Sequence, residues 1–226
     1  VHGHRDGENP ARWQGNLENV LPSLAKVRVV KHHPALPYHE IGAFIQRLRE
    51  RNGTAAVALE FLILTSARSG EVRGAAWQEF DLKKREWIIP AERMKARKEH
   101  RVPLSDRAID ILVSIPQGQG DEIVFKAARG GVLSDMTFGA VLKRMEVPVT
   151  THGFRSTFRD WAGETTAFPK EVIEHALAHQ LKDKAEAAYA RGTLMEKRRK
   201  LMTAWAEYCD HSAIKNANII GIGSLS

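Results

Sequence analysis

Between Tyr38 and Arg51 the apolar residues Ile41, Phe44, Ile45 and Leu48 recur at the spacing of one helical face, which predicts an amphipathic helix that Gly53 interrupts. Residues 55–64 are apolar almost throughout and predict a second, buried helix leading into Thr65-Ser66-Ala67-Arg68-Ser69-Gly70-Glu71. The rhythm then shortens. Phe80-Asp81-Leu82, Glu86-Trp87-Ile88-Ile89-Pro90 and Arg101-Val102-Pro103-Leu104 predict three short strands separated by polar turns. After Ser105-Asp106, which can cap a helix, Ile109, Leu112, Val113 and Ile115 resume helical spacing. Further helices are expected over 135–145, 153–164, 169–178, 183–190 and 194–210, with breaks at Gly130-Gly131, Pro148, Pro169 and Gly192.

These elements predict a mainly α fold with a small three-stranded antiparallel sheet. No repeating apolar pattern precedes Pro37, so residues 1–35 read as a connector, 36–212 as the domain and 213–226 as a C-terminal tail. Apolar residues at 43 % and charged residues at 27 % suit a folded globular chain. A single cysteine, Cys209, excludes an internal disulfide framework. No apolar run is long enough to span a bilayer and the first residues lack a signal-peptide pattern, so neither membrane insertion nor export is expected. The net charge of +7 favours a polyanionic partner but equally suits a solvated basic face.

The polar residues that break the apolar runs carry the chemistry. Arg68 follows a buried run and Glu71 lies one helical turn on, where it can orient the guanidinium toward phosphate oxygens or form a purely structural pair. Glu92 to His100 is too charged to bury and easy to present on a hairpin. His152 and Arg155 share a helix face at a helix start, which suits either an anion site or a satisfied cap. His175 and His179 stand four apart without the internal glutamate of a metalloprotease helix, which argues against zinc. Tyr189 sits among small residues, where an aromatic is ordinarily packing, and Tyr38 and Tyr208 compete with it as nucleophiles.

Taken in order, these segments resemble the tyrosine recombinase family, and within it the phage-type integrases whose catalytic domain carries a Met-Lys hairpin. Thr65 to Glu71 resembles the first arginine box, Arg93-Met94-Lys95 and His100 to Ser105 the lysine hairpin and its returning strand, and His152-Gly153-Phe154-Arg155 the His-x-x-Arg box. Leu177-Ala178-His179 precedes Tyr189 at the family's separation, and Ser66 stands where glycine is common. The resemblance covers about residues 36–210 and, more weakly, extends over 9–35 to the connector that follows a DNA-binding domain, which makes 1–35 a connector or the end of a missing upstream DNA-binding domain.

It implies a metal-free, cofactor-free DNA strand transferase working through a 3′-phosphotyrosine. Arg68, Arg155 and His179 would hold the phosphate with Glu71 in support, Tyr189 would attack, His152 would take its proton and Lys95 would protonate the leaving oxygen. Arg93, Arg97, Lys98 and Arg101 are candidate DNA-backbone contacts. Duplex DNA bearing attachment sites, a homotetrameric synaptic complex of the full-length protein and accessory DNA-bending proteins are the implied partners, in the cytoplasm of a bacterial or phage-infected cell. A type IB-like topoisomerase, an inactive DNA-binding domain and a helical interaction domain are the alternatives.

Overall fold

The computed structural model describes Asn9 and residues 11–20, 33–179 and 193–220. Residues 1–32 and 33–226 form two separate units. In the first, Trp13–Leu17 and Glu18–Val20 are short helical turns that bury nothing.

In the second, a 3₁₀ turn at Tyr38–Glu40 opens α1 (Ile41–Arg49), and α2 (Thr54–Thr65) follows. Helix α1 buries Ile41, Phe44, Ile45 and Leu48, the stripe that the spacing marks. Helix α2 is covered on nearly every side, as its unbroken apolar sequence requires. Its one acidic residue, Glu60, is buried at 3 % exposure and is matched by Arg49 and Arg107, which donate to its carboxylate at 2.8 Å each.

A short helix, α3 (Ser69–Arg73), leads to β1 (Phe80–Asp81), β2 (Glu86–Ile89) and β3 (His100–Pro103). The sheet is antiparallel in the order β1-β2-β3, with Phe80 opposite Trp87 and Trp87 opposite Val102. Phe80 and Trp87 stack at 5.5 Å, and Phe61 of α2 packs against both, fixing the sheet to the helical core. Ser105 caps α4 (Asp106–Ser114) by accepting from the Ala108 amide.

Three further helices, α5 (Thr137–Arg144), α6 (Gly153–Thr165) and α7 (Lys170–Ala176), precede the long α8 (Thr193–Ile220). Helix α8 lies on α1 and α7, and its Trp205 meets Trp161 of α6 at 4.9 Å and donates its indole N–H to the Ile63 carbonyl of α2 at 2.9 Å. It runs ten residues beyond the expected end at 210, because no glycine or proline interrupts the chain before Gly221. The helix expected over 183–190 lies outside the described residues.

The segment entering the domain is seated against the start of α6. Pro34 accepts from the Thr150 amide at 3.0 Å, and Thr157 donates to the Leu36 carbonyl at 2.6 Å. Gly153 leaves room for this crossing: a Cβ there would overlap the Pro34 carbonyl and come within 2.9 Å of the Ala35 Cα.

Candidate active site

Helix α2 ends at Ser66, whose φ of 51° places a non-glycine residue in the left-handed region. This turn redirects the chain so that Arg68 caps α3. Glu71 accepts from the Arg68 backbone amide and from its guanidinium, both at 2.7 Å, so one buried carboxylate fixes the start of the helix and the side chain together. The Ser66 hydroxyl is buried and has no hydrogen-bond partner among the described residues.

Ser66→Gly should therefore stabilise the fold. Left-handed strain of about 1–2 kcal/mol is relieved, against about 0.5–1 kcal/mol of added chain entropy. The expected net gain is about 1 kcal/mol, or roughly 2–4 °C in thermal melting for a domain of this size. A lower melting temperature would show that the hydroxyl has a role in the native state.

Across from Arg68, the Glu92 to Glu99 hairpin completes a pocket of about 430 Å³, lined by Arg68, Glu71, Arg93, Met94, Lys95 and Arg97 among others. Met94 is buried and anchors the hairpin, while Lys95 is exposed. Lys98 is exposed on the hairpin, and Arg101 is exposed on β3 and paired with Glu99 at 2.9 Å. Arg93, expected as a candidate DNA-backbone contact, also lines the pocket. Its guanidinium is turned inward, paired with the buried Glu79 and bonded to the Glu71 carbonyl.

The second cluster comes from α6 and α7. His152 caps α6, and Arg155 lies one turn in, 5 % exposed. Arg155 donates to the carbonyls of Ser66 and Leu177 and lies 3.4 Å from the His179 Nε2. His179 donates its Nδ1–H to Glu174 at 2.5 Å, which leaves Nε2 as the nitrogen that faces Arg155. Burial, then the charge of Arg68, lowers the Arg155 pKa to about 10, so it remains cationic. Burial and then Arg155, His33, Arg68 and His179 hold the His152 pKa below the ordinary histidine value.

Several partners escaped the sequence reading. Burial pulls the Glu174 pKa up, but hydrogen bonds from His179 and Arg159 outweigh it and keep the group ionised. Behind the pocket, burial and the neighbouring Arg198 push the His100 pKa down to about 3. Arg198 of α8 is itself buried and donates to the Arg101 carbonyl, which ties α8 to β3. Only the His-rich runs hinted at these contacts, since the Arg198 partner comes from a distant segment and the Glu174–His179 contact crosses the end of α7.

The structure thus joins Arg68, Glu71, Lys95 and Arg97 around one pocket and His152, Arg155 and His179 beside it, with Arg68 acting electrostatically on both Arg155 and His152. Tyr189 lies outside the described residues. Among the described residues, no cluster of His, Cys, Asp or Glu could hold a metal ion, and no helix is long and apolar enough to cross a membrane.

A family model described as the phage integrase family matches residues 35–195. The chain belongs to the phage integrase family of tyrosine recombinases. This integrase-family chain is 33 % identical over 212 residues to the integrase of Enterobacteria phage P4, covering 84 % of this chain and 48 % of that protein. It is 34 % identical over 184 residues to prophage integrase IntA of Escherichia coli (strain K12), covering 78 % and 44 %. The chain spans about half the length of the curated relatives it matches.

Among solved structures, the XerH site-specific recombinase bound to its difH substrate superposes with a TM-score of 0.52 at 15 % identity, covering 73 % of this chain and 56 % of that one. The XerA recombinase gives 0.51 at 11 % identity, covering 92 % and 71 %. Both show the tyrosine recombinase catalytic-domain fold, mainly helical with a small antiparallel sheet.

Proposed function

We propose that this chain is the strand-transfer domain of an integrase, cutting and rejoining duplex DNA at specific sites through a 3′-phosphotyrosine formed by Tyr189. The observation that carries the reading is the convergence of Arg68 and Arg155. They stand on different helices, are held by separate acceptors, and lie close enough that the charge of one depresses the pKa of the other. A phosphodiester between them would relieve that repulsion.

In the forward step the Tyr189 phenol oxygen bonds to phosphorus while the bond to the 5′ oxygen breaks. Charge grows on the non-bridging oxygens, where Arg68 and Arg155 donate from fixed positions and His179, as an imidazolium with Nδ1–H on Glu174, adds a third donor through Nε2. A free phenol has a pKa of about 10 and needs its proton removed. His152 is the acceptor, because its lowered pKa keeps the imidazole neutral near pH 7. Lys95 supplies a proton to the departing 5′ oxygen. Rejoining reverses each transfer, and the balance calls for no metal, ATP or other cofactor.

Duplex DNA with attachment sites is the substrate, and a homotetramer with accessory bending proteins is the full-length assembly in which exchange occurs. The test uses a pool of nicked duplexes with random sequence, from which adducts stable to detergent are isolated and sequenced. Peptide mapping should find phosphotyrosine at Tyr189, and Tyr189→Phe should bind DNA normally but form no adduct. An adduct on another residue, or an undiminished one in that variant, would remove Tyr189 from its role. Relaxation of supercoiled plasmid without exchange between two duplexes would instead identify a topoisomerase.

A further inference from the structure

The hairpin that carries Lys95 is exposed and has little regular structure, yet proton delivery to one oxygen demands a fixed position. Arg93, two residues before Lys95, supplies a mechanical link. One guanidinium nitrogen meets both carboxylate oxygens of Glu79, and the other donates to the backbone carbonyl of Glu71. Glu79 is buried and is held from its other side by the Trp87 indole at 2.9 Å. Glu71 is the residue whose side chain holds Arg68. Gly74 completes the fit, since a Cβ there would stand 3.1 Å from the Arg93 guanidinium.

We infer that Arg93 is a positioning residue that locks the Lys95 hairpin to the Arg68 wall of the pocket through Glu79 and Glu71. One planar fork spans a carboxylate on the sheet side and a carbonyl on α3, a geometry that a lysine ammonium cannot reproduce. Arg93 lines the pocket beside Lys95 with one terminal nitrogen on Glu79 and the other on the Glu71 carbonyl, and on this reading it works through Lys95. This rests on the reading that Lys95 acts at the leaving oxygen.

The test measures adduct formation on a nicked duplex selected from the random pool. Wild type, Arg93→Ala, Lys95→Ala and the double variant are compared. A shift of about 1 Å at the site costs on the order of 100-fold in rate, and that is the loss expected for Arg93→Ala. The double variant should be no slower than Lys95→Ala alone, whereas multiplied losses would mean that Arg93 acts independently and would overturn the proposal.

Salt dependence of binding to the same duplex gives a second readout. A lost phosphate contact flattens the log–log slope by about 0.9, while a positioning residue leaves it unchanged. A flattened slope would return Arg93 to the DNA backbone and overturn the proposal. If Arg93→Ala fails to fold because Glu79 is left charged and buried, Arg93→Ala combined with Glu79→Gln removes that charge and replaces the single variant in every comparison.

A 5′-bridging phosphorothioate duplex tests the Lys95 reading separately, because its leaving group needs no proton. Failure to rescue Lys95→Ala would refute the acid role, and the double-variant comparison would still decide Arg93. Wild-type rates from Lys95→Ala on the ordinary duplex would sink both.

Discussion

Arg155→Ala is expected to lower the rate of DNA adduct formation about 1000-fold and to destabilise the free protein as well. The catalytic loss follows from removing a preorganised donor at the oxygens where charge develops, an effect that typically costs on the order of 10²–10³. The stability loss has a different origin. Arg155 bridges the carbonyl of Ser66, at the end of α2, and that of Leu177, just beyond α7. Without it each buried carbonyl lacks a partner at about 1–3 kcal/mol apiece, partly offset by no longer burying a guanidinium. Single-turnover cleavage and thermal melting separate the two effects. Adduct formation within tenfold of wild type would remove Arg155 from the phosphate.

Glu60→Ala should cost about 3 kcal/mol of stability, at the low end of the usual range for breaking a buried pair because both arginines retain some contact with water. Melting should fall by roughly 6–12 °C. Glu60 joins Arg49 of α1 and Arg107 of α4 through the middle of α2, and Arg49 continues to Asp210 of α8 at 2.6 Å. The substitution takes the carboxylate away from Arg107 and leaves Arg49 with Asp210 alone. Glu60→Gln retains acceptor capacity and should lose less. A fall of under 2 °C for Glu60→Ala would show that the arginines are satisfied by solvent once released.

Helix α4 turns Ala108, Ile111 and Leu112 inward and leaves Val113 of the expected stripe exposed, but the stripe of α1 and the alternation around Trp87 were legible because burial follows a regular period. So was the Arg68–Glu71 pair, since three residues make one turn. Arg93 was not. A run dense in charge reads as solvated, and nothing local shows that one guanidinium turns back to Glu79, fourteen residues away and outside any helical or strand period. Glu174 was obscure for a related reason: the chain leaves α7 before His179, so the contact between them obeys no helical spacing. The charged tract around Arg198 likewise hides which arginine faces inward, a fact decided by β3 from 97 residues earlier in the chain.

The crossing at Gly153 bears on how much freedom the phosphate-binding groups have. Backbone meets backbone there with no side chain between, and the Thr150 amide is hydrogen-bonded to the same carbonyl that would collide with a methyl group. Such a contact has no rotamer to absorb movement. Sliding α6 along its axis must shift the peptide at Pro34 as well, so that peptide serves as a doorstop setting how far His152 and Arg155 can travel.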